Sequence, residues 1–380
     1  MMKLTLPRMG YSYIGFRAVF DVLGHEFIEP LPLTKRTLDL GVKHAPEFAC
    51  FPFKLTLGNL IEALETGRVD TIITAGGIGP CRYGFYGVMY EKILKEELGY
   101  SFDFILLDPP IKPYGNFKRV WEIVKKWKSE LSWGEFFRRV VQGFKLAWKK
   151  LKRVEELEAL VLKKRGWVKD VSRIDGILKN ALGKIDRAKE LEDVDLAFEE
   201  AKRDIESITP DRDEVLKVGI VGEIYTVLEP FSNLNTERLL NERGVEIERS
   251  VWTTEFIEYN IFPGLPFPLK QIVGYDTKEK IEEYSKPYLN EFVGGHGRES
   301  VAHTVMFYKM GFDGVVHILP FSCMPEIVAR GILERVSKEL DFPILSLSFD
   351  EFTGEAGLIT RLEAFIDLLN MRKKKRRAVA

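Results

Sequence analysis

The first 115 residues alternate short apolar runs with segments in which apolar residues recur at helical spacing. The runs KLTLPRM, HEFIEPL, VDTIITA and FDFILLDPP predict strands, whereas YIGFRAVFDVLG, TLGNLIEALETG and FYGVMYEKILKEELG predict helices that end at Gly24, Gly67 and Gly99. Such alternation is typical of a parallel sheet covered by helices. We therefore predict an N-terminal Rossmann-like α/β domain over residues 1–115.

Residues 116–214 carry a different pattern, that of long amphipathic helices without strand signals, and we predict a helical insertion. Residues 118–170 hold 16 Lys and Arg against 7 Asp and Glu, together with five tryptophans. Docking on an acidic partner or on a membrane surface would explain this combination. We favour a simpler arrangement in which the tryptophans pack inward and the lysines face solvent. The tryptophans are Trp121, Trp127, Trp133, Trp148 and Trp167.

The strand–helix alternation resumes at residue 215 and predicts a second Rossmann-like α/β domain over residues 215–380. Its predicted strands are KVGIVG, VEIERSVW, GFDGVVHILPF and FPILSLSFD, and its predicted helices are TERLLNERG, PEIVARGILERVSKEL and TRLEAFIDLLNMRK. The basic tail RKKKRR resembles a localisation signal or a nucleic-acid patch. Because nothing else in the chain indicates nucleic-acid binding, we expect a frayed, solvated C-terminus.

Composition excludes several classes of protein. The chain has 380 residues, a net charge of −1 and 45% hydrophobic residues, so it is large enough to build sizeable cores. It contains no apolar stretch of ~18 residues and no secretion-signal pattern at its N-terminus. We expect a cytoplasmic protein that binds neither nucleic acid nor membranes.

The three cysteines occupy similar positions in the predicted pattern. DTIITAGGIGPC ends at Cys81 and DGVVHILPFSC at Cys323, so each half has an apolar strand, a turn, a cysteine and then a helix. Cys50 lies in EFACFPFKLTLGN, just before another helix. We therefore expect all three thiols at helix starts or at the carboxyl ends of strands.

This placement permits metal binding. Ligands of parallel sheets collect at the carboxyl ends of the strands, and helix N-termini lower thiol pKa values. Three thiolates from two domains would hold a soft metal in the cleft between them. A 4Fe-4S cluster takes four cysteines, so one iron would be left for water or a substrate. Two alternatives stay open: three buried core cysteines, and a zinc enzyme with three cysteine ligands.

Several longer blocks resemble a known family. They are FACFPFK, GGIGPCRYGFYG, GGHGRESVAHT, GFDGVVHILPFSCMPEIVARGIL and SFDEFTGEAGLITRLEAFIDLL. Together they resemble the 2-hydroxyacyl-CoA dehydratase and benzoyl-CoA reductase superfamily, in particular its branch of CoA-substrate-specific enzyme activase-related proteins. The resemblance covers residues 1–115 and 215–370 and leaves out the helical insertion.

The resemblance implies an iron–sulfur protein that receives electrons from a separate ATP-dependent activator of the acetate and sugar kinase fold. The matching cysteines are Cys50, Cys81 and Cys323, which favour one 4Fe-4S cluster per chain unless two chains share a site. The substrate would be a small molecule or an acyl-CoA bound at the open iron, although no CoA-specific motif is present. A second copy of the chain and a paralogous subunit are further candidate partners. A non-catalytic electron carrier or scaffold is the alternative.

Three further residues are candidate catalytic groups. His296 lies in the glycine-rich segment GGHGRES and would transfer a proton, or else cap a helix. Glu326 follows Cys323 by three residues and would act as an acid or base, or else complement the helix dipole. Glu355 lies in TGEAGLITR, where a salt bridge to Arg361 would also explain it.

Two other residues have simpler roles. Arg82 would offset the negative charge of a thiolate-ligated cluster beside Cys81. His317 lies inside a predicted strand, where we expect a hydrogen-bonded core histidine.

Overall fold

The computed structural model describes residues 1–76, 81–107, 117–260 and 277–379. These residues form two compact units. Among the described residues, the first unit comprises Met1–Val154, Leu182–Ala197 and Asn260. The second comprises Glu155–Ala181, Phe198–Tyr259 and residues 277–379.

The first unit contains a four-stranded, entirely parallel sheet of strand order β2-β1-β3-β4. Leu4 pairs with Thr71, and Ile72 pairs with Phe104. This confirms the predicted parallel α/β architecture of the N-terminal half. The strands are β1 (Lys3–Thr5), β2 (Glu26–Phe27), β3 (Thr71–Ala75) and β4 (Asp103–Leu107).

Four helices accompany this sheet, and three of them were predicted. A 3-10 turn, Arg82–Phe85, leads into the fourth helix, and a π-helical segment, Lys92–Glu97, follows it. Gly24, Gly67 and Gly99 all have positive φ and follow helical segments, as their use as helix stops predicts. The helices are α1 (Tyr13–Leu23), α2 (Lys35–His44), α3 (Phe51–Glu65) and α4 (Tyr86–Glu91).

Residues 117–214, all of which are described, contain four helices and no strand. They are α5 (Phe117–Lys128), α6 (Trp133–Arg165), α7 (Ser172–Arg187) and α8 (Leu191–Glu206). The expected inward packing of the tryptophans is wrong for Trp121 and Trp133, which are 49% and 38% exposed. Trp127, Trp148 and Trp167 are partly buried, and Trp127 lies edge-on to the buried Phe20.

The second unit repeats the topology of the first. Its sheet is also four-stranded and entirely parallel, in the order β6-β5-β7-β8. The chain thus holds two parallel α/β sheets of the Rossmann-like kind, as predicted. The strands are β5 (Leu216–Gly222), β6 (Val245–Arg249), β7 (Gly314–Pro320) and β8 (Ile344–Phe349).

The helices of the second half connect and cover these strands. They are α9 (Ile224–Leu228), α10 (Thr236–Glu242), α11 (Thr253–Asn260), α12 (Thr277–Ser285), α13 (Gly297–Lys309), α14 (Met324–Glu339) and α15 (Glu355–Val379), with a 3-10 turn at Pro230–Asn233. None of the helices in the described part of the chain combines the length and apolar character needed to cross a bilayer.

The predicted frayed tail is wrong, because α15 continues to Val379. Lys373 Nζ donates to the carbonyl oxygen of Val215 at 2.9 Å and lies 2.8 Å from Glu214. Arg377 pairs with the same glutamate at 2.6 Å. The basic residues therefore bind acceptors of their own unit.

An aspartate in front of the third strand of each sheet shows the repeat in atomic detail. The carboxylate of Asp70 accepts from the Lys3 amide, and that of Asp313 from the Lys217 amide, both at 2.9 Å. Each aspartate amide in turn donates to the carbonyl of the same lysine. The similarity predicted from DTIITA and DGVVHI therefore extends to equivalent hydrogen bonds.

Candidate functional site

Cys50 and Cys81 each occupy the N-cap of a helical segment in the first unit. Cys50 precedes α3 in an extended conformation, φ −67° and ψ 154°, and Pro52 lies in the first turn of the helix, where an amide hydrogen is expendable. Cys81 precedes the 3-10 turn that leads into α4. Both positions agree with the prediction of thiols at helix starts.

Two contacts join the segments that carry these cysteines. Arg82, next to Cys81, donates from Nη1 to the carbonyl oxygen of Phe48 at 2.6 Å, two residues before Cys50. The Cys50 sulfur contacts the hydroxyl of Tyr86 in α4. The chain around Cys81 therefore packs directly against the chain around Cys50.

An aromatic cluster surrounds the Cys50 thiol. Phe53 lies edge-on to Tyr86 and stacks on Tyr90, with ring centroids 5.0 Å apart in each pair. Cys50 is 9% exposed and belongs to the same buried cluster as these rings. The thiol thus lies among aromatic rings and contacts a tyrosine hydroxyl.

Cys323 has the equivalent position in the second unit. Strand β7 ends at Pro320, and Cys323 is the N-cap of α14, with Pro325 in the first turn. Cys323 is 8% exposed. Pro320 thus ends the strand, and Pro325 lies where a helix can dispense with an amide hydrogen.

Glu326, in the first turn of α14, is completely buried rather than a surface partner of the helix dipole. Its Oε2 accepts from the Ser300 hydroxyl at 2.9 Å and lies 2.8 Å from His317 Nε2. Its Oε1 has no hydrogen-bond partner within the described residues. A buried carboxyl oxygen without a hydrogen bond is costly and uncommon.

His317 is the hydrogen-bonded core histidine that the strand pattern predicts. It is fully buried in β7. Its Nδ1 lies 3.1 Å from the hydroxyl of Ser346, which pairs with it in the β7–β8 register. Both ring nitrogens therefore have partners, and the ring joins Ser346 to Glu326.

His296 lies at the N-cap of α13, close to Glu326. A Cβ on Gly297 would come within 2.5 Å of the Pro325 carbonyl oxygen, so the starts of α13 and α14 are in direct contact. The His296 side chain makes no capping hydrogen bond. Burial lowers the pKa of His296, and the negative charge of Glu326 partly opposes this effect.

Glu223 and Glu299 complete this group and were not predicted. Glu223 follows β5 and accepts from the amides of Tyr225 and Thr226 at 3.0 and 2.8 Å. Burial raises its pKa, and Glu326 raises it further against these hydrogen bonds. Burial likewise raises the pKa of Glu299 to about 7, with Glu326 adding to the shift. We call Glu223, His296, Glu299 and Glu326 the carboxyl-edge cluster.

The sequence holds weak signals for the two missed glutamates. Glu223 directly follows the apolar run KVGIVG, so it had to lie at the carboxyl end of a strand. Glu299 lies in the same glycine-rich segment, GGHGRES, as His296. Their burial, which shifts their pKa values, depends on packing between distant segments and has no local pattern.

Glu355 is not part of this cluster in any contact that the structure shows. It is exposed at the first position of α15. Arg361 donates to the carbonyl oxygen of Ser346 at 2.7 Å. Arg361 is therefore held by this backbone carbonyl and not by the suggested salt bridge to Glu355.

The cysteines are divided between the units, with Cys50 and Cys81 in the first and Cys323 in the second. The described residues contain no group of three or more His, Cys, Asp and Glu side chains arranged to hold a metal ion.

Comparison with known proteins adds no identification. No protein-family model matches the chain, and no curated protein matches it significantly.

Proposed function

We propose that the chain is an iron–sulfur protein in which Cys50, Cys81 and Cys323 ligate one 4Fe-4S cluster. One observation carries the proposal: every cysteine of the chain is the N-cap of a helical segment. The partial positive charge and free amides of a helix N-terminus stabilise thiolates, which are the form that binds metal.

The donor set fits such a cluster. Iron–sulfur clusters take cysteine thiolates, and soft sulfur ligands select them over hard cations. The first unit offers two of these thiols and the second offers one, so the proposal requires both units. Arg82 would contribute positive charge beside Cys81.

With three thiols for four irons, one corner would be available to a small substrate. When bound, a cluster of this kind supplies one-electron chemistry and a Lewis-acidic iron. Following the family resemblance, we further propose that the chain is reduced by an ATP-dependent activator and acts on a small molecule or an acyl-CoA.

The carboxyl-edge cluster would handle protons for this chemistry. Glu299, with a pKa of about 7, exists in both protonation states near neutral pH. The lowered pKa of His296 keeps its imidazole neutral at the same pH, so that it accepts a proton on a ring nitrogen. Glu326 lies in the first turn after Cys323 and connects these groups through its charge.

Metal analysis of anaerobically purified protein tests the proposal. We expect a brown protein with broad absorption and about four iron and four sulfide per chain. A colourless protein with stoichiometric zinc would contradict it and support the zinc alternative. An intact cluster whose spectrum ignores acyl-CoAs and small reducible molecules would support an electron carrier.

Single substitutions test the ligand set. Cys81→Ser and Cys323→Ser should each lose most of the iron under anaerobic conditions, because each removes one of three thiolates. Thr34→Ser, which changes the N-cap of α2, is the matched control and should keep the full iron content. Full iron in either cysteine variant would refute the three-thiolate site.

A further inference from the structure

Four apolar side chains form an exposed stripe on α5 and α6 in the first unit. We call Trp121, Trp133, Phe137 and Val141 the aromatic stripe; they are 49%, 38%, 58% and 44% exposed. Trp133, Phe137 and Val141 recur every four residues and so share one face of α6. Exposed apolar side chains that are contiguous, rather than scattered, mark interaction surfaces.

The rings of the stripe contact one another. Trp121 stacks on Trp133 with centroids 5.1 Å apart and planes 14° apart. Trp133 also stacks on Phe137 at 5.9 Å. The three rings therefore form one continuous surface that joins the two helices.

Other positions of α6 are already buried. Phe136, Leu146 and Leu151 are at most 6% exposed, and the Phe136 ring lies edge-on to that of Trp133 at 6.1 Å. A Cβ on Gly143 would lie 3.2 Å from the Cα of Val19, which places α6 directly against α1. The aromatic stripe is thus not the core face of its helix, and packing within the unit does not explain it.

Lysines accompany the exposed tryptophans. Lys125 Nζ lies 5.6 Å from the centroid of the Trp121 ring, and Lys128 Nζ lies 5.3 Å from that of Trp133. Residues 121–150 contain 8 Lys and Arg against 3 Asp and Glu, although Lys126 and Lys149 pair with acids outside this range and Lys150 is buried. Of the three acids, Glu135 is engaged by Arg138 and Arg139 at 2.8 and 2.6 Å. Lys125 and Lys128 therefore place positive charge beside the rings.

These features favour an anionic bilayer as the partner. Tryptophan is enriched at membrane interfaces, where its ring enters the headgroup region, and a neighbouring lysine extends its ammonium group to the phosphates. A second copy of the chain would bring the same lysines face to face, which costs energy through like-charge repulsion. We propose that the aromatic stripe and Lys125 and Lys128 bind the chain peripherally to the surface of an anionic bilayer. This proposal replaces the expectation that the chain has no membrane partner.

Vesicle flotation of the full chain tests this proposal. We expect the protein to float with vesicles of phosphatidylcholine mixed with phosphatidylserine, and much less with vesicles of phosphatidylcholine alone. High salt should release it, because salt screens exposed charges. Absence of binding to the anionic vesicles, or equal binding to both kinds, would refute the proposal.

Two double variants separate the contributions. Lys125→Glu with Lys128→Glu should weaken partitioning at least ~25-fold, since each lysine near an anionic surface contributes about fivefold. Trp121→Ser with Phe137→Ser should weaken it at least ~tenfold through lost apolar contact. Because these side chains are exposed, the thermal midpoint should change little.

Matched controls lie in the second unit. Lys338→Glu and Phe352→Ser change a lysine and a phenylalanine of comparable or greater exposure and should leave partitioning unchanged. If the stripe variants bind vesicles like the controls, the stripe is not the membrane surface. If the wild-type chain instead forms a dimer that Phe137→Ser dissociates, the stripe binds a second copy and the proposal is wrong.

Discussion

Two side chains of α13 respond to pH in opposite directions. Burial raises the pKa of Glu299 to about 7 and lowers that of His303 to about 4, because a low-dielectric surrounding disfavours the charged form of each. His303 Nδ1 also lies 3.0 Å from the carbonyl oxygen of Glu299. In the folded chain both groups are therefore more often neutral near pH 6 than they are in the unfolded chain.

The sign of each effect on stability follows from linkage. Glu299 contributes stability below its unfolded pKa of 4.5, and this contribution is lost as pH rises through about 7. His303 contributes stability above its unfolded pKa of 6.5, and this contribution is lost as pH falls towards about 4. We predict that Glu299→Gln matches the wild type near pH 4 and is more stable by about 2 to 3 kcal/mol at pH 8. Urea unfolding at both pH values measures the difference.

Glu291→Gln is the control for this prediction, because Glu291 is exposed in the same unit. It should show no comparable gain at pH 8. A constant difference between Glu299→Gln and the wild type across this pH range would show that Glu299 does not titrate near neutral pH.

Individual site residues differ in how far the sequence predicts them. Cys323 is predictable to within a residue, because a strand ending at Pro320 and a helix beginning near Pro325 confine it to the turn between them. The role of Glu326 is not predictable, since a glutamate three residues after Cys323 could equally be exposed at the start of the helix. Its carboxyl is buried because it packs against Ser300 and His317, which come from other elements and hydrogen-bond to it.

Helices α2 and α3 cross with their backbones in close contact. A Cβ on Gly58 would lie 1.8 Å from the carbonyl oxygen of Thr37, and one on Gly41 would lie 1.7 Å from that of Lys54. Such approaches are possible only without a side chain. The crossing supports the helix whose N-cap is Cys50.

We predict that Gly58→Ala destabilises the protein by about 2 to 3 kcal/mol, because the two helices must separate to admit the methyl group. Gly176→Ala is the matched control: Gly176 lies in α7, and its Cβ would have no neighbour within 4 Å. The control should stabilise the protein by up to about 1 kcal/mol through helix propensity. Thermal and urea unfolding measure both changes. Equal effects of the two substitutions would contradict the close crossing.

The sequence did not predict helices whose structure depends on contacts with distant parts of the chain. Helix α2 was missed because KRTLDLGVKH has few apolar residues, and its contact with α3 depends on a glycine rather than on an apolar stripe. The tail RKKKRR was expected to fray, yet Lys373 and Arg377 bind Glu214, which lies over 150 residues away in the sequence. The spacing of apolar residues shows which face of a helix is buried. A contact through glycine and an ion pair with a distant residue produce no such spacing, so the sequence does not predict them.

At the scale of the whole molecule, the chain uses one strand–helix arrangement twice. Both sheets have their first strand between the second and the third, so the strand order reverses at the same place in each. Ligands of open parallel sheets bind beside this reversal, outside the carboxyl ends of the strands. Cys81 and Cys323 each follow the third strand, and Glu223 follows the first strand of the second sheet. The repeat therefore explains why the candidate residues of each unit lie at the same end of its sheet.

The aspartates in front of the third strands allow this repeat to be tested. The carboxylate of Asp70 accepts from the Lys3 amide, and that of Asp313 from the Lys217 amide, both at 2.9 Å. Each lysine lies in the first strand of its sheet. Asp70→Ala and Asp313→Ala should each cost about 1 to 2 kcal/mol, because each leaves one backbone amide without its acceptor. Hydrogen exchange should accelerate about tenfold at Lys3 in the first variant and at Lys217 in the second. Asp39→Ala, which removes an exposed partner of Lys35, is the control and should leave both amides unchanged. An effect at Lys3 without its counterpart at Lys217 would mean that the two sheets share their topology but not the interaction that fixes their strands.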